Sequence, residues 1–118
     1  MRIRIEREVK LYFVGKIEDE QLTAVKVGHS NDPERRLGEL QVGCPDQLIL
    51  LATRTYDNRL QARLEEYYFL EGRRERGEWV TVSADVLKEI EGYKIEELEE
   101  HRRGKEITLK ELRLTYNS

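Results

Sequence analysis

Basic side chains that could bind a phosphate group are concentrated in one short segment. Lys26 and His29 lie at the end of a short apolar run, VKVG, and two arginines, Arg35 and Arg36, follow in NDPERRL. A guanidinium matches phosphate oxygens with a rigid fork of donors, a lysine supplies a point charge, and a histidine exchanges a proton near neutral pH. The segment therefore indicates anion binding combined with proton transfer. The alternatives are a solvent-facing lysine, a loop histidine, and arginines in surface ion pairs with Glu39 or another carboxylate.

Strands and a short helix are predicted to position these side chains. Residues 9–14 (VKLYFV) and 22–28 (LTAVKVG) are rich in β-forming residues and together predict an antiparallel hairpin. The helix that follows can be capped by Asp32 and ends at Gly43, so the arginines lie near its start, where the helix dipole favours anions. Residues 48–55 (LILLATRT) form a nearly continuous apolar run, which predicts the central strand.

The second half of the chain predicts two further helices. One opens at Asp57 and ends near Gly72, and its predicted buried stripe consists of residues at helical spacing: Leu60, Leu64, Tyr67 and Tyr68. A short extended piece (EWVTV) and a helix from Ser83 to Ile90 follow. Residues 93–118 form a charged C-terminal extension, whose last part (ITLKELRLTY) is compatible with a strand or a helix end.

Composition excludes several classes of protein. The chain has 118 residues, for which one compact domain is the default. Cys44 is the only cysteine, which rules out an intrachain disulfide and a cysteine-built zinc site and fits a reducing cytoplasm. No apolar run reaches the length of a membrane span, so we expect a cytoplasmic protein with no membrane partner. The net charge of -3 argues against a strongly basic nucleic-acid binder, although residues 1–16 are locally basic.

Four motifs in order resemble those of the GIY-YIG nuclease superfamily. They are LYFV at 11–14, VKVG at 25–28, DPERRLGELQ at 32–41 and RGEWV at 76–80. The chain is most similar to the small phage and bacterial branch with KIG and GEW motifs, the T5orf172-like and MUG113-like domains. The resemblance covers roughly residues 9–90 by coarse alignment. It implies an α+β domain over residues 1–92, with a small three-stranded antiparallel sheet flanked by helices.

The same resemblance implies site residues on one face of that sheet. Tyr12 falls on the first motif, where a phenol could position or deprotonate a metal-activated water; a half-buried strand tyrosine is the alternative. Lys26 replaces the tyrosine of the second motif, and His29 lies where the branch often has a tyrosine. Gly28 would let the backbone approach the substrate closely. Arg36 lies where the family places its phosphate-binding arginine.

The metal ligand is the point at which the chain departs from the branch. The branch carries a glutamate early in the second helix, and the alignment puts Gln61 there and Glu65 one turn later. An amide is a poor ligand for Mg²⁺, so Glu65 is the predicted ligand for Mg²⁺ or Mn²⁺, with Gln61 and Glu66 as second candidates. Exposed helix charges are the alternative for Glu65 and Glu66.

Two functional interpretations follow, and a purely structural domain is the last alternative. The resemblance implies a metal-dependent endonuclease that hydrolyses DNA phosphodiesters. The alternative is a catalytically inactive domain of the same fold that binds nucleic acid or a protein, as Gln61 and the acidic balance favour. The acidic C-terminal segment, which includes Glu96–Glu100, is the predicted surface for a homodimer or protein partner under the second interpretation.

Overall fold

The structure is a computed structural model that describes residues 8–73 and 79–116, with the backbone alone from residue 103 onward. The α+β class is confirmed: an antiparallel sheet carries helices on both faces, and it has four strands instead of the predicted three. The elements are β1 (Val9–Glu18), β2 (Gln21–Ser30), α1 (Pro33–Val42), β3 (Gln47–Tyr56), α2 (Arg59–Leu70), β4 (Val80–Thr81) and α3 (Ala84–Tyr116). In the described part of the chain no helix is both long enough and apolar enough to cross a membrane.

The hairpin of β1 and β2 lies at the centre of the sheet, in which the strand order is β3-β1-β2-β4. The prediction that residues 48–55 form the central strand is therefore wrong, because β3 is an outer strand. Its apolar run has another cause, which is that helices cover both of its faces. Leu48 and Leu50 pack in a cluster with α1, and Ala52 packs on the other face with α2 and α3.

Each face of the sheet has its own core. Tyr12, Val14 and Leu48 form the smaller cluster with Leu37 and Leu40 of α1. On the opposite face, a larger cluster joins the sheet to α2 and α3 and contains Leu11, Phe13, Val25, Val27, Ala52, Phe69, Val80, Val86 and Ile90. Successive strand residues point to opposite faces, so the two clusters take alternate residues of β1.

Helix α1 begins and ends as the sequence predicts. The Asp32 carboxylate accepts a hydrogen bond from the backbone N–H of Arg35, and the helix ends at Val42, directly before Gly43. The Gln41 side chain then fixes the connection to β3, since it donates to the carbonyl of Asp46 and accepts from the N–H of Leu48, both at 2.8 Å. These bonds hold the arginines of α1 in a fixed position relative to the sheet.

Helix α2 has the predicted periodicity but buries a different face. Its buried residues are Ala62 and Phe69. The four residues predicted to be buried are instead exposed, at 65% for Leu60, 45% for Leu64, 64% for Tyr67 and 59% for Tyr68. The prediction of this stripe as core is therefore wrong, and α2 carries an apolar and aromatic outer face.

Helix α3 is longer than predicted. It passes Ile90 and Gly92 without a break and continues to Tyr116, so the segment ITLKELRLTY is helical. Its acidic side covers the free edge of β3, where Glu97 accepts 2.7 Å hydrogen bonds from the backbone N–H and the hydroxyl of Thr55. Arg54 makes a two-pronged ion pair with Glu100, at 2.6 and 2.7 Å. The role of this segment as a partner surface stays a prediction.

Candidate functional site

Tyr12 and Gly28 form a matched pair on the face of the sheet covered by α1. They lie opposite each other in the β1–β2 register, and the Tyr12 ring lies directly over the glycine. A Cβ atom on residue 28 would come within 2.3 Å of the phenol oxygen. Gly28 is therefore required by the ring itself, which is buried with 3% exposure.

Arg36 projects from the first turns of α1 and lies beside that phenol. Its Nη1 donates to Glu39 at 2.9 Å, and both side chains are about half exposed. The Glu39 carboxylate, and after it the Tyr12 phenol, raise the pKa of Arg36 above its ordinary value. The guanidinium thus remains charged, and its other donors are available for a phosphate. Arg35 is more exposed and lies 3.6 Å from Glu39.

His29 follows Gly28 directly and therefore points to the opposite face of the sheet, toward α2. Its Nδ1 lies 2.7 Å from Oε2 of Glu66, and each side chain is about one quarter exposed. This contact fixes the ring, so Nε2 is the nitrogen left for proton exchange with a ligand. The end of β2 consequently holds the Tyr12–Arg36 pair on one face and the His29–Glu66 pair on the other.

An open cleft of about 630 Å³ joins the two pairs around the end of β2. It is lined by Glu8, His29, Ser30, Asn31, Asp32, Arg35, Arg36, Glu39 and Arg59. Asp32 caps α1 and Glu39 contacts both arginines of that helix, so two of the three acidic residues are already engaged. The cleft, which we call the arginine cleft, offers an anion the guanidinium of Arg59 and those donors of Arg35 and Arg36 that do not contact Glu39. Tyr12 and Glu66 contact its lining side chains from behind.

The remaining predicted residues lie away from this cleft. Lys26 is on the face of Tyr12, opposite Val14 in the register, and does not line the cleft. Glu65 and Gln61 line a second cleft, of about 380 Å³, on the other flank of α2. There the Tyr93 hydroxyl donates to Glu65 at 2.7 Å. Adjacent helix positions are about 100° apart, so Glu65 and Glu66 lie on the two flanks of the face that buries Ala62 and Phe69.

A metal ion at the arginine cleft would have one carboxylate from α2. The described residues contain no group of three or more His, Cys, Asp or Glu side chains that could hold a metal. Mg²⁺ is commonly bound through one or two carboxylates together with phosphate oxygens and water, so a single glutamate is compatible with a metal that arrives with its substrate. Glu66 does not line the cleft itself but contacts the lining residue His29 through Oε2, which leaves its Oε1 outside that contact.

Arg59 is the lining residue that the sequence did not single out. It opens α2, one turn before Arg63, and it lies far in sequence from the other arginines. The sequence feature that could have identified Arg59 is its place at the start of the helix that carries the candidate glutamate. In the loop after α2, Arg73 pairs with Glu89 at 2.6 Å, whereas Arg74, Arg76 and Glu78 lie outside the described residues. Trp79 packs under Lys16, whose Nζ is 4.5 Å from the ring centre.

Comparison with known proteins assigns the domain. No curated protein and no solved structure matches the chain. A family model of the T5orf172 domain matches residues 10–92, which include β1 from its second residue, β2 to β4, the start of α3 and every lining residue of the arginine cleft except Glu8. That family is associated with nuclease-like domains, which agrees with an anion-binding cleft. The chain belongs to the T5orf172 domain family.

Proposed function

We propose that this T5orf172 domain is a divalent-metal-dependent DNA endonuclease whose site is the arginine cleft. The observation that carries the proposal is convergence: the Tyr12–Arg36 pair and the His29–Glu66 pair meet at the end of β2, although four different elements supply them. Phosphodiester hydrolysis needs a fixed cation for the phosphate and a group that exchanges a proton. The cleft offers both within one depression.

Each residue has a defined task in this proposal. Arg36 binds the non-bridging oxygens of the phosphate and stabilises the charge that develops as water attacks phosphorus and one P–O ester bond breaks. His29 accepts the proton of the attacking water through Nε2. Tyr12 is buried and orients Arg36, which is a narrower role than the direct contact with water that the resemblance implies. Gly28 keeps the space that the Tyr12 ring needs.

Glu66 is the residue that would hold Mg²⁺ or Mn²⁺ in this site, together with phosphate oxygens and water. The metal would supply charge neutralisation and a lower pKa for water. Glu65 and Gln61 are the alternatives named from the sequence, but they lie on the flank of α2 that faces Tyr93. The two glutamates are adjacent in sequence and lie on different flanks of the helix, so they make a matched pair of variants.

A plasmid-nicking assay with Mg²⁺, with Mn²⁺ and with EDTA tests the proposal. We expect metal-dependent nicking by the wild type, a loss of at least about 100-fold in Arg36→Ala and in Glu66→Gln, and activity within a few-fold of wild type in Glu65→Gln and Arg35→Ala. Loss in Glu65→Gln with activity retained in Glu66→Gln would move the metal to the second cleft. Cleavage that persists in EDTA would contradict the metal requirement.

A second candidate function is a binding domain without catalysis. One observation favours it, namely that Glu66 already contacts His29 and is the single carboxylate on that flank of α2 near the cleft. A folded protein that binds DNA equally with EDTA and with Mg²⁺, and nicks with neither Mg²⁺ nor Mn²⁺, would support this second function. Arg36→Ala would then weaken binding without any effect on catalysis.

A further inference from the structure

We propose that the outer face of α2 carries a single-stranded DNA segment away from the arginine cleft and stacks an unpaired base on Tyr67. This inference rests on the proposed function, and it adds a substrate class: DNA with an unpaired segment beside the phosphate to be cut. We call the surface formed by Arg59, Arg63 and Tyr67 the α2 track.

The three residues of the α2 track lie in line along the helix. They are spaced four residues apart, which places their side chains on one flank, about 6 Å from one to the next along the axis. Arg59 lines the arginine cleft, so the track begins at the proposed site and leads away from it. Glu66 projects from the same flank of α2 and contacts His29, a lining residue of the cleft. This flank of α2 therefore meets the proposed site at two residues, Arg59 and Glu66.

The charge of the track favours a polyanion. Arg59 and Arg63 are exposed, and neither forms an ion pair with any residue in the described part of the chain. The nearest acidic group on this flank, Glu66, is held by His29 at 2.7 Å. Arg59 lines the same cleft as Arg35 and Arg36, and Arg63 continues from it along α2, so these arginines form a basic surface on a protein whose net charge is -3.

The aromatic end of the track favours an unpaired base. Tyr67 is 64% exposed, and its ring centroid lies 6.0 Å from that of Tyr68 in an edge-to-face arrangement. Exposed aromatic rings beside arginines are the stacking platforms of single-strand binders. The bases of an intact duplex are already stacked on each other, so Tyr67 can receive only a base that has left the helix.

A second copy of the chain is the competing occupant of this face, because Leu60 and Leu64 are also exposed there. A contact between two identical helices would bring the unpaired arginines of both copies into one interface, and like charges oppose that arrangement. The charge therefore favours DNA, and self-association becomes an outcome of the test.

The test compares a blunt duplex with a forked duplex that carries 2-aminopurine in its unpaired arm next to the junction. Binding is measured in EDTA by anisotropy, and stacking is measured by quenching of 2-aminopurine fluorescence. We expect the wild type to prefer the fork by about tenfold, and Tyr67→Ala to lose both that preference and the quenching while it binds blunt duplex normally. Tyr67→Phe should keep both. Tyr68→Ala, on the flank that lines the second cleft, is the matched control and should remain within about twofold of wild type.

The outcomes separate this inference from the proposed function. Equal affinity for both duplexes, unchanged in Tyr67→Ala, would overturn the track and leave metal-dependent nicking untouched. Tyr67-dependent quenching in a protein that never cleaves would support the track and refute the nuclease. A dimer seen by light scattering that dissociates in Tyr67→Ala, with no change in DNA binding, would overturn the track in favour of a second copy.

Discussion

Replacement of Gly28 by alanine tests the central contact of the site, the Tyr12 ring over the glycine. The added Cβ would lie 2.3 Å from the phenol oxygen and 2.4 Å from Cζ, whereas carbon contacts begin near 3.4 Å. The ring must therefore move by about 1 Å, and it is packed against Leu37 and Leu40 with 3% exposure. Overpacking of this kind costs about 1–3 kcal/mol of unfolding free energy. For a domain of this size the melting temperature should fall by roughly 5–15 °C.

Urea unfolding of four proteins measures the effect: wild type, Gly28→Ala, Tyr12→Leu and the double variant. Leucine lacks the distal ring atoms, so Gly28→Ala should cost much less in the Tyr12→Leu background, with a coupling of at least about 1 kcal/mol. Gly38→Ala is the control, because a Cβ there meets no atom within 4 Å. That change in a helix interior should stabilise the protein by about 1 kcal/mol. An equal cost of Gly28→Ala in both backgrounds would refute the contact between the ring and the glycine.

Three further predictions concern stability. Glu20→Gly should raise the unfolding free energy measured in urea by about 1 kcal/mol, because Glu20 has a φ of 65° in the β1–β2 turn, which glycine adopts without strain. Gln21→Gly, within β2, is the control and should lower the unfolding free energy. A lower unfolding free energy in both variants would contradict the turn geometry. Glu97→Ala should lower the unfolding free energy by about 1–3 kcal/mol, because the backbone N–H and the hydroxyl of Thr55 lose their acceptor. Glu99 is exposed, so the control variant Glu99→Ala should be nearly neutral in the same measurement. Burial raises the pKa of Tyr56 from 10.0 to about 12 and raises that of Tyr93 still more. A raised pKa of the folded state means that stability is complete below pH 10 and falls as the pH rises toward 12, and Tyr93→Phe should make that fall shallower in unfolding experiments at increasing pH.

The sequence predicts local structure here better than it predicts which surface is buried. Asp32 and Ser83 cap helices as predicted, because a cap depends on a few neighbouring residues. The run from Leu48 to Thr55 showed that both faces of a strand are covered, but it could not show whether the strand is central or at an edge. Periodicity in α2 correctly indicated a helix, yet Ala62 and Phe69 are buried and Leu64 and Tyr67 are exposed. Which stripe of a helix is buried depends on partners elsewhere in the chain.

The choice of candidate glutamate illustrates the same limit. Spacing along the chain places Glu65 and Glu66 one residue apart, and that difference is smaller than the uncertainty of a motif alignment. In the folded chain one residue along α2 decides whether a carboxylate lines the second cleft, as Glu65 does, or contacts His29 of the arginine cleft, as Glu66 does. The contact of Glu66 with His29 could not be read from the sequence, because it depends on the exact rotation of α2 over β2.

The distribution of charge explains how an acidic chain can present a basic cleft. In the sheet register Leu11 lies between His29 on β2 and Arg54 on β3, so those two side chains lie on one face, about 10 Å apart. The acidic side of α3 packs on the β3 side, where Arg54 is in contact with Glu96, Glu97 and Glu100 and neutralises part of their charge. Arg54, which these carboxylates contact, lies two strand spacings from His29, which is about one screening length at physiological salt. Helix α2 packs on the strands of the hairpin, with Arg59 in the lining of the cleft, whereas α3 packs on β3. The acidic residues of α3 are thus kept apart from the basic residues of the arginine cleft. The net charge of the chain therefore does not exclude a DNA-binding site at the end of β2.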